Sequence, residues 1–237
     1  MSSSDFFRYR QFTIDQRHAA MKVGTDCDLL GTLSVGGSRI LDIGTGTGIL
    51  SLMLAQRYPK ARITAVEIDD SAIIDARTNF ASSPFADRIE LVHAAFQDYC
   101  RSAGPLPKFD AVVCNPPYFD RSLECADESR TRARHTSSLP FSDLASGAYS
   151  LLADEGYFSV CIPYEVLDDF IAECSFKGFW LQELYKIKSL PDKEPVLYIL
   201  VHKKGRITHY CEHEFCMRNA DYSRSEWYLD LMRDFHV

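Results

Sequence analysis

Residues 41–52 read LDIGTGTGILSL, and residues 62–69 read RITAVEID. An apolar run opens into three alternate glycines, then into apolar residues at helical spacing, then into a second apolar run. Glycine lets a chain turn tightly and lets another group come close, so the order reads as strand, tight turn, helix, strand. Two consecutive strands joined through a helix lie parallel, by a right-handed crossover. Parallel strands are covered on both faces, so the rest of the chain has to supply more helices.

It does. From residue 39 the chain alternates strand and helix. RILDIG (39–44), RITAVEID (62–69), RIELVHAA (88–95), FDAVVCNPPY (109–118) and GYFSVCIP (156–163) read as strands. Helices are expected over 47–58, over 71–83 with Ser71 as N-cap, over 142–154, and over 165–178 ending near Gly178. WLQELYKIKSL (180–190) and PVLYILVHKK (195–204) read as an antiparallel pair joined by the surface loop SLPDKEP. The expected fold is α/β: a doubly wound, mostly parallel sheet with helices on both faces and an antiparallel strand pair near the C-terminus. Residues 1–38 form a separate N-terminal element, expected to pack on the cofactor or substrate site, and 39–237 form the main domain.

Gly44, Gly46 and Gly48 fall between the first strand and its helix, where helix N–H groups face a ligand. Glu67 ends the second strand, 19 residues past Gly48, placed to accept both hydroxyls of a ribose. The spacing is GxGxG. A dinucleotide loop would carry a later glycine for helix packing where this chain has Ile49. Asp42, two residues before the loop, suits a ligand ammonium. These features favour S-adenosylmethionine over a nicotinamide dinucleotide.

Asn115-Pro116-Pro117-Tyr118 ends the fourth strand. Neither proline has an N–H and both fix φ, so the strand must stop there in a stiff loop with an amide at one end and a ring at the other. Ligands of doubly wound sheets bind along that carboxyl edge. Asn115 Oδ1 and the Pro116 carbonyl are placed to accept from a planar amine, and Tyr118 to stack on the ring that carries it.

Net charge is −7, which argues against a protein that coats nucleic acid nonspecifically. One basic stretch follows the proline loop, with Arg121 and then Arg130, Arg132 and Arg134 within ESRTRARH; arginine pairs well with phosphate. The eight cysteines are scattered, several in apolar runs, and read as reduced core thiols of a cytoplasmic protein. Cys211, His213 and Cys216 lack a second ligand pair, so no metal is expected. No apolar run is long enough to span a membrane. A monomer is expected.

Residues 40–118 resemble the amino-methyltransferase branch of the Rossmann-like class I methyltransferases. FFRYRQFTIDQRHAAMKVGTDCDLLG at the start, RTRARH after NPPY, and ADYSRSEWYLDLMRDFHV at the end are similar to the bacterial tRNA (adenine-N(6))-methyltransferases that modify the adenosine 3′ of the anticodon in a valine tRNA. The resemblance implies that S-adenosylmethionine is the cofactor and tRNA the partner. It implies that Asn115, Pro116, Pro117 and Tyr118 are the catalytic loop and that the arginines grip RNA. Lys22, Val23, Thr25 and Asp26 match the segment that lies against the cofactor pocket, and Ile68 and Phe96 join Asp42, the three glycines and Glu67 in holding the cofactor, with Phe96 flanking the adenine. Lys22 and Asp26, four apart, read equally well as a surface ion pair. Where the family often carries an Asp for the adenine amine, this chain has Ala95, with Asp98 three residues on. The same motifs leave open a protein-glutamine or other nucleic-acid adenine methyltransferase, and a non-catalytic RNA-binding module on the same fold.

Overall fold

The structure is a computed structural model that describes residues 5–19, 21–102, 108–116 and 139–237. A hairpin, β1 (Phe6–Arg8) and β2 (Thr13–Asp15), leads into helix α1 (Thr25–Leu33). Then β3 (Arg39–Ile43), α2 (Ile49–Arg57), β4 (Arg62–Glu67), α3 (Asp70–Ser82), β5 (Ile89–His93), α4 (Phe96–Ser102) and β6 (Phe109–Cys114) alternate. After the residues not described come α5 (Phe141–Leu151), β7 (Leu152–Ile162), α6 (Leu167–Lys177), β8 (Phe179–Lys188), β9 (Pro195–Lys204), β10 (Cys211–Cys216) and α7 (Glu226–Leu231).

The main sheet has eight strands in the order β10-β8-β9-β7-β6-β3-β4-β5. β9 runs antiparallel to both its neighbours, and the remaining pairings are parallel. The expected α/β sheet with its antiparallel β8–β9 pair is therefore present. The parallel addition of β10 outside β8 is a further feature of the edge. Along β10, Cys211 and His213 share a face while Cys216 points to the other, because side chains alternate at period two. His213 stacks on Tyr185, with ring centroids 4.7 Å apart.

The same alternation builds two cores. Ile40 of β3 joins Leu29, Leu30, Leu52 and Met53 on one face, while Leu41 and Ile43 join Leu144, Ala148 and Phe158 on the other. Leu29 and Leu30 of α1 are fully buried in the first core, so this helix is part of the main packing. The cap of α3 differs from expectation. Asp69 accepts from the Ala72 N–H at 2.7 Å and Ser71 lies inside the helix, because the strand ends early enough for Asp69 to reach the first turn.

Strand order reverses at β3: the chain runs outward to β4 and β5, then returns to lay β6 on the other side. The carboxyl ends of β3 and β6 are thus neighbours, with Ile43 beside Cys114 in register. A crevice opens at such a switch point, and the glycine loop and Asn115 both leave the sheet there.

Candidate active site at the switch point

The three glycines have different jobs. All have positive φ: 69° at Gly44, 56° at Gly46 and 87° at Gly48. A Cβ at Gly44 or Gly46 would meet nothing within 4 Å, so the loop presents open space at both. A Cβ at Gly48 would lie 2.4 Å from the Phe80 ring on α3. Gly48 therefore supplies the close helix packing for which a dinucleotide loop carries a glycine at the place of Ile49. Gly46→Ala should cost about 1–2 kcal/mol of stability from backbone strain and abolish most cofactor affinity. Gly48→Ala should cost roughly 2–4 kcal/mol, strain and ring clash together. Denaturant midpoints and S-adenosylhomocysteine calorimetry on both variants check this, and equal stability losses would refute the division of roles.

Two carboxylates stand behind the loop. Glu67 Oε2 accepts from the Gly46 N–H at 2.8 Å, and Oε1 accepts from Ile68 and Asp69 N–H groups, each at 2.8 Å. A carboxylate offers about four acceptor positions, so three are spent on backbone and about one remains for a ligand hydroxyl. Asp42 is wholly buried; its Oδ2 accepts from Thr45 and Ser51 hydroxyls at 2.6 and 2.7 Å. Its Oδ1 makes no hydrogen bond among the described residues. Burial, opposed by the two hydroxyls and reinforced by the Glu67 charge, pushes the Asp42 carboxyl up to about 6.

Asn115 leaves β6 beside this loop. Its Nδ2 donates to Asp26 Oδ2 at 2.7 Å and lies 3.3 Å from Cys27 Sγ, both in the first turn of α1. Pro116 is buried. Pro117, Tyr118, Arg121, Arg130, Arg132 and Arg134 lie outside the described residues.

The N-terminal strap crosses the same region. Asn79 of α3 donates to the carbonyls of Asp15 and Thr47, each at 2.8 Å, tying the strap to the glycine loop. Buried Asp75 accepts from the backbone N–H groups of His18 and Ala19 at 2.9 and 2.8 Å.

Comparison with known proteins decides what this crevice belongs to. The methyltransferase small domain family matches residues 18–131. A tRNA1(Val) (adenine(37)-N6)-methyltransferase of Bacteroides thetaiotaomicron is 40% identical, over 99% of this chain and 98% of that protein. The protein of the same name from Phocaeicola vulgatus is 41% identical over 98% and 97%. The chain belongs to the tRNA1(Val) (adenine(37)-N6)-methyltransferase family.

Solved structures agree on the fold. A predicted O-methyltransferase from Agrobacterium tumefaciens superposes with a TM-score of 0.70 at 22% identity, over 88% of this chain and 96% of that one. A putative methyltransferase complexed with SAH gives 0.61 at 15%, over 86% and 57%.

The family's cofactor is S-adenosylmethionine, and the residues present fit it. The open space over Gly44 and Gly46 admits a ligand backbone. The unpartnered Asp42 Oδ1 suits a donor or cation, Glu67 keeps an acceptor position, and Ile68 beside it is 38% exposed, an apolar surface for a flat ring. The remaining residues expected at the cofactor have partners of their own within the protein. The Phe96 ring is only 6% exposed and lies against Gly147, so its bulk serves the core between α4 and α5. Asp98 pairs with Arg101 on the outer face of α4. Lys22 Nζ donates to the Gln16 carbonyl and makes no ion pair with Asp26, while the Val23 N–H donates to Gln16 Oε1 at 2.8 Å. Asp26 faces Asn115. Sequence reasoning missed Gln16, Asp75, Asn79 and Cys27; a buried amide or carboxylate on a helix carries no local signature of its distant partner.

Proposed function

We propose that this chain transfers a methyl group from S-adenosylmethionine to the exocyclic 6-amino group of an adenosine in tRNA, the adenosine 3′ of the anticodon in a valine tRNA. The observation that carries this reading is the position of the Asn115 amide. It stands at the tip of β6, in register beside the glycine loop of β3, with its NH2 end turned to Asp26. When bound, S-adenosylmethionine supplies an electrophilic methyl carried on sulfur. The chain's task is to hold a poor nucleophile in place. An adenine amine is delocalised into its ring, and an acceptor that draws on its N–H bonds favours a pyramidal nitrogen. Asn115 Oδ1 and the Pro116 carbonyl are the acceptors in this reading, and Tyr118 holds the ring.

Gly44, Gly46, Asp42, Glu67 and Ile68 hold the cofactor, and residues 1–38 carry the strap and helix that close over it. Arg121, Arg130, Arg132 and Arg134 meet RNA phosphates. The protein works as a cytoplasmic monomer without a metal. Among the described residues no helix is long and apolar enough to cross a membrane.

The test is mass spectrometry of tRNA nucleosides after incubation with methyl-labelled S-adenosylmethionine. N6-methyladenosine in a valine tRNA is the expected product. Label on peptide glutamine, or none on any tRNA, would overturn the reading. In tRNA-binding titrations over a range of salt concentrations, neutralising Arg130, Arg132 and Arg134 should reduce the salt slope by up to about 3, near one unit for each phosphate contact, with S-adenosylhomocysteine affinity by calorimetry unchanged.

A further inference from the structure

We propose that Asp26 and Cys27 are positioning residues that occupy both N–H bonds of the Asn115 amide and present it to substrate as an acceptor only. The inference rests on the reading of Asn115 as the amine acceptor and adds what makes it one. An asparagine amide has a donating and an accepting end, and left to itself it can turn either way. An ionised carboxylate only accepts, so Asp26 Oδ2, 2.7 Å from Nδ2, requires the NH2 end to face α1. The second hydrogen has Cys27 Sγ at 3.3 Å. Burial pushes the Cys27 thiol up, so the sulfur stays a neutral, weak acceptor. With its nitrogen held on one side, the amide carries Oδ1 on the other side of the same plane.

The clamp is itself anchored. Asp28, next on α1 and buried, accepts from Tyr9 Oη at 2.6 Å and Tyr228 Oη at 3.4 Å, and has His236 Nε2 at 3.1 Å. These partners come from both ends of the chain, so the termini fix the helix that fixes Asn115. Gly24, just before α1, completes the arrangement. A Cβ there would lie 2.3 Å from Asp26 Oδ1, although its φ of −128° suits any residue. Glycine at 24 is thus needed to leave room for the Asp26 carboxylate and not for its backbone conformation.

An acceptor-only amide welcomes a 6-amino purine and has no hydrogen to offer a 6-oxo purine. Asp26 thereby contributes to base choice without touching the base.

The experiment has two arms. In the first, nitrogen-15 NMR follows solvent exchange of the Asn115 side-chain amide, assigned by its loss in Asn115→Ala. Exchange should be slow in the wild type and faster in Asp26→Ala and in Gly24→Ala, which moves the carboxylate without straining the backbone. This arm needs no turnover, so it reads the clamp even if no tRNA is methylated and the functional reading falls. In the second, single-turnover methylation should fall about tenfold in Asp26→Ala, by analogy with the low end of the loss when a partner that orients a metal ligand is removed, with S-adenosylhomocysteine affinity unchanged. In the Asn115→Ala background the same change should add nothing. Asp26→Glu should restore part of the rate. An oligonucleotide with inosine at the target position should compete poorly against wild type and better against Asp26→Ala. Equal amide exchange in wild type and Asp26→Ala would overturn the proposal, as would a full additional loss of rate in the Asn115→Ala background.

Discussion

Asn115→Ala is expected to slow methyl transfer to tRNA about 10²-fold or more, the scale seen when one preorganised polar group is removed from a reacting centre. S-adenosylhomocysteine affinity should barely change, because in the proposed function the amide meets the substrate amine and not the cofactor, while its NH2 end is held by Asp26 and Cys27. The loss has two sources. The acceptor for the amine disappears, and the half-buried Asp26 carboxylate loses its amide partner. Asn115→Asp keeps the shape but should be no milder. It would set two carboxylates against each other at hydrogen-bond distance, and one would be driven to take a proton or turn away. Single-turnover kinetics with the valine tRNA separates these effects from product release. Near-normal methylation by Asn115→Ala would remove Asn115 from the chemistry.

The second large effect is on stability and comes from the interior of the sheet. His202 on β9 is fully buried, with Phe158, Phe170 and Phe179 around it, their ring centroids at 6.2, 5.9 and 6.1 Å. Neither ring nitrogen makes a well-formed hydrogen bond among the described residues. Burial lowers its pKa from 6.5 to about 3, offset only in part by the Phe158 backbone. A lowered histidine contributes stability above its unfolded pKa, and that stability is lost as pH falls from 6.5 toward 3. At pH 5 the unfolded chain is protonated here and the folded chain is not, a loss of about 2 kcal/mol.

Asp42 works in the opposite direction. Its carboxyl is raised to about 6, so the folded state resists ionisation and stability falls as pH rises from 3.8 to about 6. Going from pH 8 to pH 5 it returns about 1.5 kcal/mol. The wild-type curve over this range therefore hides both contributions, and the variant exposes them. The stability difference between wild type and His202→Leu should shift by about 2 kcal/mol against wild type from pH 8 to pH 5, read from denaturant midpoints at each pH. A difference that stays constant with pH would mean that His202 titrates normally.

The sheet and its order of elements were legible in the sequence because their causes are local. Apolar runs such as RILDI and FDAVVC mark strands, glycines mark the turn after β3, and the prolines after Cys114 end β6. Ser71 was misread as a cap because Asp69 and Ser71 are both good capping residues, and only the point where β4 stops chooses between them. The family resemblance implies a place for Phe96 beside the cofactor adenine. The helix it begins turns the ring inward, against a glycine on α5 that no local pattern connects to it.

The linear chain by itself determined the parallel sheet, the carboxyl edge where Gly44, Glu67 and Asn115 emerge, and the class of cofactor that such an edge holds. Those features depend on steric preference and periodicity within a few residues of each position. The tertiary structure alone decided that Gly48 serves Phe80, that three of the acceptor positions of Glu67 go to backbone, and that Asp26 reaches Asn115 across 89 residues of sequence. A hydrogen bond depends on where two groups end up in space, and that is set by how the buried faces of α1 and the sheet pack together. The spacing of residues along the chain carries no record of it.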